Sequence, residues 1–376
     1  MEIISNVSNI MAKEFPEDVN EGLAWLRFSL SQQAEQPVVT DWEALYQFAK
    51  KQRILGVCAP FQYQAKIGQQ LLFKWIADVQ QTKGYNALLN KRVIELYRVL
   101  EGDGFRCCIL KGQGNAEMYP EPSSRMSGDI DVWVDADKET LQQYVRSRFP
   151  DAKACFKHIK FPIFKDVEVD VHLTPLKLYT PWLQKKLQRW ISENKEVQFN
   201  HEVMLSGTDM PIHVPTVQFN AVYQLGHIMI HLFDEGVGFR QLIDYYYVLK
   251  KAQELSAEER QEIVDTWKRL GMYRLATAVM WIEYEILGLP EDALLAFPHQ
   301  SRGRSLLADV LEGGNFGHYS VRREYKRSGK VFSKRVLSLL RLLRFSRFFP
   351  SMTFFSIIYR TITVLRLSVK RVISRL

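Results

Sequence analysis

The sequence predicts an α+β fold in which a small mixed β-sheet is flanked by helical N-terminal and C-terminal regions. Apolar residues recur at helical spacing in the first and last parts of the chain, and short segments between them alternate with the two-residue period of strands. The chain has 376 residues and 47% apolar composition, enough for more than one hydrophobic core. We therefore expect a helical region at 1–100, a sheet region at 101–213, a helical region at 214–318 and a basic amphipathic tail at 319–376.

The first region contains two segments with a helical pattern. Residues 40–61 carry an apolar stripe at positions i, i+3, i+4 and i+7, and Thr40 is the expected N-cap. The stripe consists of Trp42, Leu45, Tyr46 and Ala49. A second helix is expected at 85–104, ending at a glycine-containing turn.

Strand and helix signals alternate in the sheet region, and helices follow it. The expected strands cover 105–111 and 128–134, followed by a β-hairpin at 155–175. Residues 112–127 are expected to form a loop with a helical turn near 116–118. The expected helices cover 137–149, 217–233, 239–251 and 256–271.

Asp129 and Asp131 interrupt a segment that otherwise has the pattern of a buried strand. Residues two apart in a strand point to the same face about 6.6 Å apart, so the two carboxylates repel by roughly 2.5 kcal/mol at an effective dielectric near 20. The opposite face consists of Ile130, Val132 and Val134 and suits a core. We interpret the pair as ligands of Mg²⁺ or Mn²⁺, which prefer oxygen donors; the alternative is carboxylates that face solvent or cap turns.

Asp170 is the third candidate ligand. It lies on the polar face of the second arm of the hairpin, where Glu168 is the alternative. Three carboxylates from two adjacent strands can hold two metal ions about 3.5–4 Å apart. The sequence therefore predicts a metal site formed by these two strands.

A glycine-containing loop follows the first strand of the sheet region. It reads Lys111-Gly112-Gln113-Gly114, and glycines in such a loop bring backbone N–H groups close to phosphates. Lys111 can add a positive charge, or it can be a solvated lysine at the strand end. Together with the acidic residues, the loop indicates phosphoryl-type transfer.

These motifs resemble a known family. The segments "ILKGQGNAEMYPEPSSRMSGDIDVWV" and "VEVDVHL" resemble the nucleotidyltransferase superfamily with the DNA polymerase beta type of palm, and more narrowly the bacterial uncharacterised nucleotidyltransferase family. The matching positions are Lys111, Gly112, Tyr119, Pro120, Arg125, Gly128, Asp129, Asp131, Asp170 and His172. The likeness covers roughly 41–250. The superfamily usually has Gly-Ser or Gly-Gly before the acidic pair, and the serine that often contacts phosphate is absent here.

The resemblance implies a two-metal reaction. Asp129 and Asp131 would bind both metals, and Asp170 would complete the first metal site and help to deprotonate an acceptor hydroxyl. That hydroxyl would attack the α-phosphorus of a nucleoside triphosphate (NTP) and release pyrophosphate. The nucleotide would lie between the sheet, which is the palm at 101–213, and the helical C-terminal domain.

Further residues are expected near the nucleotide. Gly128 belongs to the acidic motif, and Arg125 is expected to contact the substrate, or else to pair with Glu121. We expect His172 to hold Asp170 in place.

Two pairs four residues apart in the helical region are also candidates. His227 and His231 could bind zinc, but the glutamate of the HExxH motif is missing; we expect one histidine to pack and His231 to reach the nucleotide. Arg240 and Asp244 are expected to form an intrahelical ion pair, with a triphosphate contact by Arg240 as the alternative.

The tail carries most of the positive charge. Residues 321–376 contain 15 Lys or Arg and one acid, Glu324, which leaves −6 for the rest of a chain whose total is +8. Basic residues interleaved with Leu, Phe and Ile favour an anionic membrane surface as the partner. Phosphates of a nucleic acid are the less favoured alternative, because the apolar content is high for a simple RNA-binding arm.

The expected location is the cytoplasm, with peripheral attachment at the inner membrane face. No opening stretch has the pattern of a signal peptide, and the four cysteines form no CxxC pair. Pro350 and Arg360 interrupt the apolar stretch at 348–365, so a surface helix is expected there rather than a span.

Two other functions remain open at this stage. A glycosyltransferase can use a DxD motif to hold a metal and a nucleotide sugar, but it does not need the Lys-Gly loop or Asp170. A catalytically inactive scaffold would bind nucleotide or membrane without turnover. The intact acidic trio favours the enzyme over the scaffold.

Overall fold

A computed structural model describes residues 16–31, 35–62, 66–152, 158–314 and 342–373, except 344 and 347. It confirms an α+β protein in which helices predominate around a small mixed sheet. The helices are α1 (Glu17–Ser31), α2 (Trp42–Gln52), α3 (Gln69–Gly102), α4 (Gly112–Ala116), α5 (Lys138–Arg148), α6 (Pro181–Gln198), α7 (Val217–Asp234), α8 (Phe239–Lys251), α9 (Ala257–Arg269), α10 (Tyr273–Trp281), α11 (Gln300–Gly313) and α12 (Pro350–Ile373). The strands are β1 (Cys107–Leu110), β2 (Ile130–Val134), β3 (Ile159–Lys160), β4 (Val169–His172), β5 (Glu202–Met204) and β6 (Pro211–His213).

The main sheet has the strand order β1-β2-β4-β3. β1 and β2 are antiparallel, β2 and β4 are parallel, and β3 and β4 form the predicted antiparallel hairpin. β5 and β6 form a separate two-stranded hairpin. The sheet is therefore mixed, as the sequence predicts.

Strand alternation divides the sheet into an apolar face and a polar face. Ile130, Val132 and Val134 join a hydrophobic cluster with residues of α3 and α5. Trp133, which points the other way, belongs to a second cluster built mainly from helices. The intervening Asp131 faces that helical side, so the chain needs polar partners there.

The second cluster joins helices from both ends of the described chain. It contains Trp25 of α1 and Leu45 of α2 together with residues of α7 to α11. The helices before and after the sheet thus share one apolar core. The region boundaries stay predictions.

The start of α2 differs from the prediction. Its N-cap is Asp41, whose side chain accepts a hydrogen bond from the backbone N–H of Ala44. Thr40 is not the cap because its hydroxyl donates to Glu21 at 2.6 Å. The helix expected at 85–104 is the C-terminal part of the 34-residue α3.

The loop expected at 112–127 begins with the short helix α4 and contains a 3₁₀ turn at Pro122–Ser124. Two glycines in five residues give α4 a low helix propensity. Tertiary contacts stabilise it: Asn220 donates to Asn115 at 3.0 Å, and Gln113 donates to Asn90. These contacts could not be seen in the local pattern.

The tail contributes α12, which begins at Pro350, a residue suited to the first turn of a helix. Aromatic rings of Phe345 and Phe349 pack against Phe233 of α7. Residues 315–341, which carry much of the predicted basic tail, lie outside the described residues. Within the described ranges, none of the helices has the length and apolarity that a membrane crossing requires.

Candidate active site

The three predicted acidic residues meet at one face of the main sheet. Asp131 and Asp170 lie opposite each other in the parallel pairing of β2 and β4, so their side chains project to the same side. Asp129 precedes β2. One oxygen from each carboxylate lies within 4.8 Å of the others, and no other cluster of this kind occurs in the described part of the chain.

Asp131 is buried and paired with two cationic or hydrogen-bonding groups. Lys111 Nζ lies 3.0 Å from its Oδ2, and His172 Nε2 lies 2.8 Å from its Oδ1. Burial acts to raise the pKa of Asp131, but the charge of Lys111 and the His172 hydrogen bond outweigh it and hold the pKa well below its usual range. Asp131 is therefore ionised near neutral pH.

The partner predicted for His172 is wrong. The sequence interpretation assigns this histidine to Asp170, whereas the structure pairs it with Asp131. The reason is that its ring reaches across to the neighbouring strand β2 rather than along its own strand.

Asp170 has different partners. Lys160 Nζ lies 2.8 Å from one of its oxygens, and His158 Nε2 lies 3.2 Å from the other. Burial raises the pKa of Asp170 and Lys160 opposes this, while the charges of Asp131 and Asp129 raise it further. Burial also lowers the pKa of His158 to about 4, with His172 and Lys160 adding to the effect. Asp170 is thus a more basic carboxylate than Asp131.

Lys111 reaches the acidic cluster from an unusual backbone conformation. Its φ is 42° and its ψ is −143°, and the next residue, Gly112, also has a positive φ of 52°. A positive φ is uncommon for a residue other than glycine and is often found at functional sites. The conformation turns the chain from β1 into α4 and leaves the ammonium group beside Asp131.

Two histidines of α7 continue the series of polar contacts that begins at Asp131 and Lys111. His227 Nε2 lies 3.0 Å from Lys111 Nζ and 3.1 Å from His231 Nε2. His231 Nδ1 lies 3.6 Å from a carboxylate oxygen of Glu235. The side chains therefore form a chain of contacts from the acidic cluster to the end of α7.

Arg125 is buried in an ion pair with α8. Its Nε and Nη2 each lie 2.7 Å from one oxygen of Asp244, and the Tyr119 hydroxyl also donates to Asp244 at 2.7 Å. The alternative pairing with Glu121 is wrong, because Glu121 lies near Lys83 instead. The Arg125–Asp244 ion pair therefore connects the segment that precedes Gly128 to helix α8.

Arg240 lies one turn before Asp244 on α8. Its Nη1 donates to the backbone carbonyl of Met126 at 3.0 Å. Burial, reinforced by the nearby charge of Arg125, lowers the pKa of Arg240 to about 10. Arg240 remains cationic at neutral pH and lies close to Gly128.

A cavity of about 300 Å³ lies between the sheet and helices α7 and α8. Ten of the predicted site residues line it: Lys111, Gly112, Arg125, Gly128, Asp129, Asp131, Asp170, His172, His231 and Arg240. Gly114 does not line this cavity. A Cβ atom on Gly114 would meet Val214 at 2.9 Å, so this glycine allows close packing rather than access to phosphate.

The sequence interpretation missed several residues of the cavity wall. They include His158, Thr174, Lys177, Tyr179, Gln224 and Gln241. His158 lies in the predicted hairpin, two residues before Lys160. Because residues two apart in a strand share a face, the sequence could have placed both side chains on the face of Asp170. Thr174 also lies in the predicted hairpin segment, shortly after β4. The remaining four come from helices and loops whose approach to the sheet has no local signal.

Two comparisons with known proteins found matches for this chain. A family model described as "Uncharacterised nucleotidyltransferase" matches residues 39–288. No curated protein matches the chain. Among solved structures, the chain is similar to a crystal structure of an antigenic nucleotidyltransferase-like protein from Paracoccidioides brasiliensis, with 12% identity, a TM-score of 0.29, and coverage of 50% of this chain and 88% of that one.

Proposed function

The chain belongs to the uncharacterised nucleotidyltransferase family, and from this we propose that it is a divalent-metal-dependent nucleotidyltransferase. It transfers a nucleoside monophosphate from an NTP to an acceptor hydroxyl or phosphate and releases pyrophosphate. The observation that carries the proposal is the convergence of Asp129, Asp131 and Asp170, with oxygens within 4.8 Å, at the wall of a cavity.

The acidic cluster fits Mg²⁺ or Mn²⁺ by its donor chemistry. All three ligands are carboxylates, which are hard oxygen donors. The positions of Lys111 and Lys160 support the assignment, because two ammonium groups already lie within 3.0 Å of these oxygens. A bound divalent ion would neutralise phosphate charge and make the acceptor hydroxyl more acidic.

The protein side chains divide the remaining work. Asp170 is suited to accept the acceptor proton, since its pKa is raised by burial. The acceptor oxygen forms a bond to the α-phosphorus, and the bond from that phosphorus to the bridging β-oxygen breaks. Pyrophosphate takes the bonding electrons, and the hydroxyl proton passes to the Asp170 carboxylate.

Cationic residues along the cavity are suited to the triphosphate. Lys111 and Arg240 both line it, and fixed positive charges stabilise the charge that develops on the leaving group. Arg125 has a different role, because its guanidinium is held by Asp244. It is a positioning residue for the segment that leads to Asp129.

The test is a screen of the four NTPs, labelled at the α-phosphate, with Mg²⁺ or Mn²⁺ and a panel of acceptors. Pyrophosphate release and label transfer are measured for the wild type, Asp129→Asn and Asp131→Asn. We expect both variants to lose activity by on the order of a hundredfold or more, because each removes charge from the metal site. Activity that survives in both variants contradicts the proposal.

Glu168→Gln is the matched control. Glu168 lies two residues before Asp170, but its side chain is 75% exposed and pairs with Lys160. We expect near-normal activity, which would also exclude Glu168 as the third ligand. Nucleotide sugars tested in parallel distinguish the DxD glycosyltransferase, which would release a nucleoside diphosphate, and nucleotide binding without any product would identify an inactive scaffold.

We assign this activity to the cytoplasm. Three cysteines, Cys58, Cys107 and Cys108, are buried free thiols, which suits a reducing compartment that also supplies NTPs. Cell fractionation followed by an activity assay measures where the enzyme is located. Activity in the secreted fraction would contradict the assignment.

A further inference from the structure

The outer face of α12 carries an apolar stripe. Phe354, Ile358 and Ile362 are 59%, 37% and 43% exposed. Because they are spaced by four residues, they share one helix face over about 12 Å. The inward side chains of Met352, Thr353 and Ser356 are buried against the protein. The helix therefore exposes large apolar side chains where a surface helix normally carries polar residues.

The sequence that contains this stripe is strongly basic. The sequence of α12 contains four basic residues and no acid, and the surrounding segment 321–376 contains 15 basic residues against one acid. An apolar stripe within a strongly basic segment is the pattern of a helix that lies in the interface of an anionic membrane.

A neighbouring tryptophan extends the same surface. Trp182 of α6 is 53% exposed, and its ring contacts Phe355 of α12 edge-on at 5.2 Å. Tryptophan is enriched at the level of lipid headgroups because its ring is apolar and its N–H is polar. The other seven tryptophans all lie in the described residues and none is exposed.

α12 is attached beside the wall of the cavity. Arg360 Nη2 lies 2.6 Å from the carbonyl of Phe233 and 3.2 Å from Asp234 Oδ1. The same Asp234 oxygen accepts a hydrogen bond from Tyr179, which lines the cavity. The rings of Tyr179 and Tyr359 are also in contact, with centroids 5.5 Å apart. One layer of side chains thus separates the helix from the cavity.

We propose that α12 docks in the plane of an anionic lipid surface. Phe354, Ile358 and Ile362 enter the boundary of the acyl chains, and the basic residues of the segment contact lipid phosphates. The contacts through Asp234 and Tyr179 then place the docked helix one layer of side chains from the cavity. Docking needs neither nucleotide nor metal, so it can be tested independently of the proposed enzymatic activity.

The first test is co-flotation of the full chain with vesicles of phosphatidylcholine plus phosphatidylglycerol. We expect binding that weakens at high salt and is much lower on phosphatidylcholine alone. Phe354→Glu and Ile358→Glu should each lower the partition coefficient by on the order of tenfold, because a charge replaces an inserted apolar group. Thermal unfolding of each variant establishes that it is folded.

Phe297→Glu is the matched control. Phe297 is 89% exposed and lies outside α12, so its replacement should leave flotation unchanged. Equal flotation of Phe354→Glu, Ile358→Glu and wild type overturns the proposal. It is also overturned if the two α12 variants convert a dimer into a monomer while vesicle binding is unaffected, since the stripe would then join two copies of the chain.

A second readout tests the orientation. Brominated phosphatidylcholine in the anionic vesicles should quench part of the tryptophan fluorescence, and Trp182→Phe should remove most of this quenching. Flotation without any loss of quenching in Trp182→Phe means that another face binds lipid, and the proposal fails.

Discussion

Asp131 in the sheet region and Glu283 in the helical region are both buried carboxyl groups, with exposures of 5% and 0%. Asp131 lies within 3.0 Å of Lys111 and accepts a hydrogen bond from His172. Both oxygens of Glu283 are without a hydrogen-bond partner among the described residues. Lys111 and His172 overcome the effect of burial and lower the pKa of Asp131, whereas burial raises the pKa of Glu283 well above its usual range.

The difference separates an acid of the candidate site from an acid enclosed in the helical core. Glu283 lies in a π-helical segment, Ile282–Ile286, that continues α10 into the core, and it belongs to no cluster of potential metal ligands in the described part of the chain. Asp131 has two acidic neighbours and a cavity in front of it. Burial alone therefore does not identify a site; converging carboxylates with cationic partners do.

The largest expected effect is the loss of stability when the buried ion pair of Asp244 is broken. It lies in the helical region like Glu283, but it binds Arg125 through two contacts of 2.7 Å, and the two side chains are 5% and 4% exposed. Asp244→Asn leaves the Arg125 charge buried without its partner. We expect the free energy of unfolding to fall by about 3–5 kcal/mol, measured by urea denaturation.

The matched control for Asp244 is an exposed acid. Asp265 on α9 is 59% exposed and pairs with Lys268 at 2.9 Å. Asp265→Asn should leave the free energy of unfolding almost unchanged. Similar losses in the two variants would mean that the buried pair contributes no more than a surface pair.

Glu283→Gln should have the opposite effect and should stabilise the protein at neutral pH. The carboxyl titrates near 4.3 in the unfolded chain, and burial raises its pKa in the folded state, so the folded state binds more protons between the two values. Its contribution to stability is complete below the unfolded pKa and is lost as pH rises toward the folded pKa, by up to about 1.4 kcal/mol per pH unit. We expect Glu283→Gln to raise the free energy of unfolding at pH 7 and to change it very little near pH 4.

Thermal or urea unfolding across this pH range measures the effect. Glu193→Gln is the control, since Glu193 is exposed on α6 and should show no pH-dependent gain. A Glu283→Gln variant that is less stable than wild type at pH 7 would show that the carboxylate has a partner or a role in the folded protein.

Local patterns were sufficient to predict much of the sheet and its acidic face. The alternation around Ile130 and Val132 predicts the buried face of β2, and the same alternation places Asp129 and Asp131 together. The same alternation left both Glu168 and Asp170 as candidates for the third ligand, and only the resemblance of the Asp-x-His segment to the family pattern favoured Asp170. These predictions depend on neighbouring residues, and periodicity reports on neighbouring residues directly.

Long-range contacts account for most of what was missed. Arg125 meets Asp244 across 119 residues, and Tyr119 meets Asp244 across 125. Local periodicity cannot predict contacts between residues so far apart in the sequence. Gly114 shows the same limit, because a glycine beside the phosphate loop is indistinguishable in sequence from one that allows close packing against Val214.

The smallest expected effect is the stabilisation of the folded protein by a divalent cation. We expect the cation to bind at the acidic cluster and not at Glu283. Mn²⁺ added to metal-free protein at about ten times its dissociation constant should stabilise the folded state by about 1.4 kcal/mol. For a chain of this size the melting temperature should rise by about 1–2 °C. Asp131→Asn should abolish the rise, because it removes one of three converging carboxylates, whereas Glu283→Gln should retain it in full. A rise that persists in Asp131→Asn would place the bound ion elsewhere and would remove the distinction between the two buried acids.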